Sequence, residues 1–132
     1  MSLHPLVRDD FSAPFFDAAA RGELLLRFSP SSGEWSEPAA LVCSVSQAQD
    51  LEWRTAAGDG RLVSWTVKPG RAKDDKPAVD TVIGIVETDE GPWLTLQLPD
   101  VDRAQLRAGA AVRVEFVQPE GGEHVPVGRL AA

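Results

Sequence analysis

The spacing of apolar residues is helical at the start of the chain. Phe15 and Phe16 are followed one turn later by a pair of alanines, which places an apolar stripe on one face of a helix. Ser12 is a favourable N-cap residue, Pro14 suits the first turn, and Gly22 stands where a helix would end. The pattern predicts a short N-terminal helix that can dock on a neighbour by its apolar face.

In the next segment, 23–51, short apolar runs alternate with turn residues. The leucines at 24–26 are typical of a short strand, and residues 29–33, with one proline and one glycine, are a dense turn signal. A second apolar run, 39–45, follows Pro38 and precedes a polar stretch. The segment therefore predicts a hairpin and a loop.

From residue 51 onward, apolar and polar residues alternate with the two-residue period of strands. Turn sequences at 58–60 and 89–92 separate the runs, and Asp100 is a candidate N-cap for a short helix over 101–107. The predicted strands are 62–67, 79–86, 93–98, 111–117 and 125–130. Three strands, a short helix and two more strands is the order of a five-stranded Greek-key OB barrel, so we expect a mainly β protein.

Length and charge limit the classes of function. With 132 residues, the chain has the size of one domain with a small appendage. Its formal net charge is −7. Nucleic-acid binding draws its affinity from Lys and Arg side chains that neutralise phosphates, so this balance makes a nucleic-acid partner unfavourable. Asp74 and Asp75 interrupt the one basic cluster, which comprises Lys68, Arg71, Lys73 and Lys76.

The single cysteine, Cys43, excludes an internal disulfide and a metal site made only of cysteines. A cysteine nucleophile needs a nearby histidine, and nothing in the sequence brings His4 or His124 to Cys43. The N-terminus lacks the apolar run of a secretory signal, and no run approaches the ~18 residues of a membrane span. We expect a cytoplasmic protein without a membrane partner or a cofactor, in which Cys43 is a buried structural residue.

Five segments, taken in their order and spacing, resemble a known family. The segments are FFDAAARGELLL at 15–26, DLEW at 50–53, GDGRLVSWTV at 58–67, VETDEGP at 86–92 and LRAGAAVRV at 106–114. In these segments the chain is similar to the acyl-CoA-associated OB-fold proteins, in which a helix and a rubredoxin-like zinc ribbon precede the barrel. The resemblance implies a helix and ribbon over residues 1–50 and an OB barrel with one short helix over residues 51–132.

The ribbon departs from the family at its metal positions. In such ribbons a C-x-x-C-G turn and a second C-x-x-C supply four thiolates to a tetrahedral zinc ion. Here the resemblance puts the first pair at Ser29 and Ser32 and the second at Cys43 and Ser46. A serine hydroxyl is not ionised at neutral pH and is a harder donor than a thiolate, so we expect a vestigial ribbon without zinc. Apolar contacts are expected to hold the segment instead, from Leu24, Leu26, Trp35, Leu41 and Val42.

The resemblance also implies a function without catalysis. Members of the family are accessory or scaffold subunits of thiolase-like or hydratase-like acyl-CoA enzymes, and their barrel contacts CoA or the partner. In this chain the basic cluster is the candidate for contact with CoA phosphates or with a partner enzyme. The alternative is that the cluster belongs to a solvated crossing loop.

A second candidate surface is the aromatic pair of the helix. Phe15 and Phe16 offer apolar area that the barrel need not cover, so we expect them to mediate self-association or docking onto a thiolase-like partner. The alternative is that both rings are buried in the chain's own core.

The tryptophans leave a second class of function open. Trp53, Trp65 and Trp93 are either packing residues or a stacking platform for bases, as OB folds often use. Packing is favoured, since Lys and Arg do not surround them. An OB-fold nucleic-acid-binding protein is therefore the alternative function.

Overall fold

The computed structural model describes residues 8–72 and 77–131, and within them one short helix precedes eight strands. The elements are α1 (Ala13–Ala20), β1 (Leu25–Ser29), β2 (Glu34–Ser36), β3 (Glu52–Thr55), β4 (Asp59–Lys68), β5 (Thr81–Thr88), β6 (Trp93–Gln97), a 3₁₀ turn (Arg103–Gln105), β7 (Ala111–Val117) and β8 (Val125–Leu130). This confirms the prediction of a mainly β protein with a short N-terminal helix. None of the described helices is long and apolar enough to cross a bilayer.

The helix α1 begins beside a pair of reciprocal hydrogen bonds. The amide of Asp9 donates to Ser12 Oγ (2.9 Å), and the amide of Ser12 donates to Asp9 Oδ1 (2.7 Å). The second bond makes the largest contribution to holding the pKa of the Asp9 carboxyl below its usual value. Ser12 is the N-cap residue, as predicted, but its hydroxyl makes no capping bond to the helix. At the other end the amide of Glu23 donates to the carbonyl of Ala18 (2.9 Å), which turns the chain out of the helix.

The strands β1, β2 and β3 form a small antiparallel sheet with β1 in the centre. Phe28 lies opposite Trp35 in the β1–β2 ladder, and their ring centroids are 5.0 Å apart. Leu26 lies opposite Arg54 in the β1–β3 ladder and is fully buried. The predicted hairpin is thus completed by β3, which comes after the expected domain boundary at residue 50.

The loop between β2 and β3 differs from the prediction. Leu41 and Val42 were expected to pack inside, but both are exposed. The loop folds back through a bond from the amide of Cys43 to the carbonyl of Ala48 (2.8 Å). This fold buries Cys43 and leaves the two residues before it in solvent.

The strands β4 to β8 close into a barrel in the order β4-β5-β6-β8-β7, with β7 returning to β4. All pairs are antiparallel except β6 with β8, which meet in parallel at Gln97 and Val127. A bulge interrupts the β4–β5 register between Leu62 and Ser64. Five strands in this closed order are those of an OB fold, which confirms the predicted barrel.

Side chains fill the barrel interior. Leu62, Leu98 and Val127 are among its fully buried residues. A Cβ at Gly84 would lie 2.9 Å from Leu62 Cδ1, and a Cβ at Gly128 would lie 2.6 Å from Leu98 Cδ2. These two glycines therefore leave room for the large leucines, and a ligand would have to bind on the outside of the barrel.

The helix predicted over 101–107 is wrong in its extent. Only the 3₁₀ turn Arg103–Gln105 forms, and Asp102 caps it by accepting from the amide of Ala104 (3.0 Å). Asp100, the predicted N-cap, has a positive φ of 55°. Because the cap lies two residues later than expected, little chain remains for a helix before β7.

Candidate functional site

The first turn of the ribbon, 29–33, has a compact hydrogen-bonded backbone. The amide of Gly33 donates to the carbonyl of Ser29 (2.8 Å). The amide of Ser32 donates to Ser29 Oγ (3.3 Å). Gly33 has a φ of 71°, a left-handed conformation that glycine adopts without strain. The side chain of the first residue in the turn is thus an acceptor for the fourth residue's amide.

The second turn, 43–47, repeats the same pattern with a sulfur acceptor. The amide of Gln47 donates to the carbonyl of Cys43 (2.9 Å), and the amide of Ser46 donates to Cys43 Sγ (3.4 Å). Gln47 also has a left-handed backbone, with a φ of 64°. The two segments that the resemblance aligns with C-x-x-C turns therefore share one backbone arrangement.

The two turns face each other. Ser32 Oγ and Cys43 Sγ are 3.9 Å apart, and both Ser29 and Cys43 are fully buried. Hydrogen bonds from Ser46, the hydroxyl first, lower the pKa of the Cys43 thiol to about 7. The structure thus brings together residues from both predicted pairs, through a sheet that the sequence alone does not position.

A carboxylate that the sequence reasoning missed completes this cluster. Ser29 Oγ donates to Asp50 Oδ1 (2.6 Å), and the amide of Ser31 donates to Asp50 Oδ2 (2.9 Å). These bonds, the one from Ser29 first, lower the pKa of Asp50 to about 2. Asp50 stands just before β3, so it ties the first turn to the end of the loop. The sequence offered one signal for it, an acidic residue at the edge of the matched DLEW segment.

The donor atoms at the four ribbon positions do not suit zinc. Three are hydroxyl oxygens, one is a thiol, and the hydroxyl hydrogen of Ser29 is committed to Asp50. Zinc in structural sites prefers thiolate and imidazole ligands, which these hydroxyls do not replace. Over residues 8–72 and 77–131, no group of three or more His, Cys, Asp or Glu side chains is placed to hold a metal ion. The metal-free ribbon stays a prediction, because it has to be measured.

A groove of 370 Å³ lies between the ribbon and the β5–β6 hairpin of the barrel. Its apolar lining consists of Trp35, Val45, Pro92 and Trp93, and its acidic rim of Glu34, Glu37 and Glu90. We call it the acid-rimmed groove. Sequence reasoning missed it because its two walls come from segments about fifty residues apart. Exposed valine and tryptophan side chains indicate a binding surface only when the structure shows that they line the same groove.

The sequence pattern that defines the ChsH2 C-terminal OB-fold domain matches residues 53–117. This range runs from β3 to the end of β7. Residues 53–117, which include the strands β4 to β7 of the barrel, are similar to this family. The resemblance to acyl-CoA-associated OB-fold proteins is thereby confirmed for the ChsH2-type barrel. No curated protein matches the chain.

Two solved structures share the fold of the whole chain. One is described as an Ltp2-ChsH2(DUF35) aldolase, with a TM-score of 0.77 and 22% identity over 98% of this chain and 100% of that chain. The other is a DUF35-family protein of unknown function from Sulfolobus solfataricus, with a TM-score of 0.64 and 13% identity over 92% of this chain and 86% of that chain. At these identities the likeness shows the fold alone, in which a helix, a small three-stranded sheet and a barrel occur together.

The basic cluster is only partly described. Lys68 and Arg71 are exposed at the end of β4, whereas Lys73 and Lys76 lie outside the described residues. Asp80 ties down the base of this loop, because it accepts from the amide of Gly70 (3.2 Å) and from Arg103 (2.8 Å). Arg103 is the main cause of the lowered pKa of Asp80. Contact between this loop of the ChsH2-type barrel and CoA stays a prediction.

The aromatic pair of the helix does not form an exposed surface. Phe15 and Phe16 are each only 9% exposed and belong to the main core cluster. Their rings meet edge to face at 5.5 Å, and Phe15 also lies 6.3 Å from Trp53 of β3. The expectation of an exposed patch is therefore wrong, because the ribbon sheet covers the apolar face of α1. Of the two alternatives, burial in the chain's own core is the one observed.

The outer face of β5 and β6 is the surface on which many OB folds bind nucleic acid. Residues on β5 alternate between buried and half-buried, so Ile83 and Ile85 face outward. Thr95 lies opposite Ile85, and Trp93 lies opposite Glu87 and donates to its carboxylate (2.9 Å). All of β5 and β6 is described, and neither strand carries a lysine or an arginine. This face of the ChsH2-type barrel is apolar and weakly acidic.

Proposed function

We propose that this chain is a non-catalytic accessory or scaffold subunit that binds an acyl-CoA enzyme of the aldolase or thiolase kind. The observation that carries the proposal is the end-to-end likeness to a chain of the Ltp2-ChsH2(DUF35) aldolase structure, together with the ChsH2-type barrel. Because the fold is shared over nearly the full length of both chains, the likeness supports the proposal that this chain also assembles with a partner enzyme. The hydratase-like partner class implied by the resemblance is the less supported variant.

The surroundings of Cys43 bear on the accessory role, because this is the one cysteine of the chain. Cys43 has a lowered pKa, but its side chain is buried and its bonded neighbours are serines. His124 lines a separate cleft of 680 Å³ between the end of α1 and the barrel. A thiol that is fully buried is closed to a substrate, so these surroundings favour a structural role for Cys43.

Contact with CoA is the finer part of the proposal. Lys68 and Arg71 lie on either side of Gly70, whose amide donates to Asp80. This bond restrains the backbone between the two cations. Phosphates of CoA are the anionic groups that such cations recognise. Changing Lys68 and Arg71 to Glu should weaken binding of free CoA by isothermal titration calorimetry. Unchanged CoA affinity would leave the loop without this role.

The nucleic-acid alternative is disfavoured by the charge of the OB binding face. Stacking on Trp93 would have to overcome repulsion between Glu87 and the phosphates, without help from cations on β5 or β6. The distinguishing measurement is binding of a short single-stranded DNA at several salt concentrations. Tight binding that weakens steeply with salt would favour the alternative over the accessory role.

The proposal is tested by co-expressing the chain with an aldolase-like or thiolase-like acyl-CoA enzyme from the same source. We expect the two proteins to elute together from a sizing column, and the enzyme to gain activity or stability over the enzyme alone. An enzyme that elutes separately and is fully active alone would contradict the proposal. Co-expression with an unrelated OB-fold protein of similar charge is the control.

A further inference from the structure

The acid-rimmed groove has two walls that are each held by hydrogen bonds. On the ribbon side, the amide of Ser44 donates to Ser36 Oγ (3.2 Å), which joins the second turn to β2. On the barrel side, Thr88 donates to the carbonyl of Pro92 from both its amide (3.0 Å) and its hydroxyl (2.7 Å). The groove is therefore a built feature of the fold and not a gap between loose loops.

The lining of the groove leaves large apolar side chains in solvent. Val45 is 66% exposed and Trp93 is 54% exposed, on opposite walls. The indole of Trp93 is oriented by its bond to Glu87. Exposed aliphatic and aromatic groups on facing walls are typical of a surface that a partner covers.

The rim of the groove is wholly acidic. Glu34, Glu37 and Glu90 line it, and none of the described residues that line it is a Lys, Arg or His. Glu90 is anchored through Oε2, which accepts from the amide of Ala57 (2.9 Å). Its other oxygen, Oε1, is buried and has no hydrogen-bond partner among the described residues. Because the three carboxylates carry negative charge without a cation among the described lining residues, a cationic segment of a partner would complement the rim.

We propose that the acid-rimmed groove binds a segment of a partner protein in which an apolar anchor residue is flanked by lysines or arginines. The inference rests on the proposed function only in that the acyl-CoA enzyme is the expected source of this segment. The same carboxylates would repel CoA phosphates or a nucleic acid. A second copy of the chain would place acidic rim against acidic rim across a two-fold axis, which is unfavourable.

A random-peptide library displayed on phage and selected on the full chain tests the proposal without requiring a candidate enzyme. We expect the enriched peptides to share an aromatic or leucine residue flanked by basic residues. A synthetic peptide of that sequence should bind with a Kd that rises by about tenfold or more in Val45→Glu and in Trp93→Ala. Glu37→Lys should weaken binding as well, with a smaller salt dependence.

The chain provides matched controls for these variants. Val79 is 53% exposed and precedes β5, whereas the groove adjoins the other end of that strand, so Val79→Glu introduces the same charge elsewhere. Glu120 lies in the turn between β7 and β8 outside the groove, so Glu120→Lys changes the net charge equally. Both controls should change the peptide Kd by less than about twofold, and melting curves should show that all variants are folded.

Several outcomes would overturn the proposal. These are enrichment of acidic or uncharged peptides, no enrichment, an equal loss of binding in Val79→Glu, or dimerisation of the chain that Val45→Glu abolishes. The outcome for the proposed function is separate. If the acyl-CoA enzyme still assembles with Val45→Glu, the groove proposal fails and the accessory role stands. If no enzyme assembles with the wild-type chain, the peptide selection still decides what the groove binds.

Discussion

Ser29 Oγ donates a 2.6 Å hydrogen bond to Asp50 Oδ1, across twenty-one positions of the chain. Ser29 stands where the family resemblance puts the first zinc-binding cysteine, and Asp50 just before β3. The bond therefore joins the first turn to the end of the loop, directly before β3. A part-buried hydrogen bond with a charged acceptor thus fixes the first turn against the end of the loop.

Removal of this bond should destabilise the protein. Ser29→Ala leaves Asp50 Oδ1 and the amide of Ser32 without their shared partner in a site where Ser29 is fully buried. We expect a loss of about 1–2 kcal/mol in the free energy of unfolding, measured by urea denaturation. Ser46→Ala, at an exposed position of the second turn, is the control and should have a smaller effect. An equal loss of unfolding free energy in the two variants would mean that the bond to Asp50 contributes no more to stability than the exposed Ser46 hydroxyl does.

Stability should also depend on the ionisation of Asp50. Its pKa is lowered to about 2 in the folded chain by the bonds from Ser29 and Ser31, below the usual 3.8. The stabilisation is therefore fully present above the usual pKa and is lost as the pH falls toward 2. Asp50→Asn should lower the melting temperature at pH 7 and flatten its decrease between pH 5 and 2. A melting curve of wild type that is insensitive to acid over that range would contradict this.

Zinc should be absent from the native chain and restorable by three substitutions. Elemental analysis of protein purified without chelator should find much less than one zinc per chain. Ser29→Cys, Ser32→Cys and Ser46→Cys together should bind about one zinc and raise the melting temperature, since both turns already have the required backbone. Adding Cys43→Ala to the triple variant should reverse both effects. If the wild-type chain held one zinc ion that Cys43→Ala lost, the serines at the other three positions would not prevent zinc binding.

The buried aromatic pair should act on stability and not on association. Phe16→Ala removes a ring that is 9% exposed within the core, so we expect a loss of about 3–5 kcal/mol. Phe11→Ala is the matched control, since this ring is 38% exposed and contacts Trp53 from outside, and should cost less than about 1.5 kcal/mol. Chemical denaturation compares the two. A fully stable Phe16→Ala that no longer binds its partner would restore the interface hypothesis.

The barrel should not tolerate a methyl group at Gly128. A Cβ there would meet Leu98 Cδ2 at 2.6 Å and Val112 Cγ1 at 3.2 Å inside a filled interior. We expect Gly128→Ala to cost about 1–3 kcal/mol in urea denaturation. Combining it with Leu98→Val should cost less than the sum of the two single changes, because the smaller side chain gives the methyl room. Strict additivity would argue against a clash at this position.

The strand order of the barrel could be predicted from the sequence because its signals are local. Alternating residues such as those of β7, and turns such as 89–92, mark where each strand starts and ends, whatever its neighbours are. The ribbon turns were also predictable, since Gly33 and the spacing of Ser29 to Ser32 preserve a known turn. The prediction that Ser29, Ser32 and Ser46 are poor zinc ligands rests on residue identity alone. The extent of the helix after Asp100 could not be predicted from the sequence, because Asp100 and Asp102 are both suitable N-cap residues.

Only the tertiary structure decided which surfaces are inside. Whether Phe16 is buried depends on where β1 and β3 lie against α1, and whether Val45 is exposed depends on how the loop folds around Cys43. The hydrogen bond of Ser29 to Asp50 likewise joins residues that are distant in the chain. The same is true of the groove, whose opposite walls contain Val45 and Trp93. Hydrophobic attraction has no direction, so an apolar pattern identifies residues that prefer burial but not the surface that buries them. The strands follow from local spacing, and the groove and its acidic rim follow from how two sheets meet.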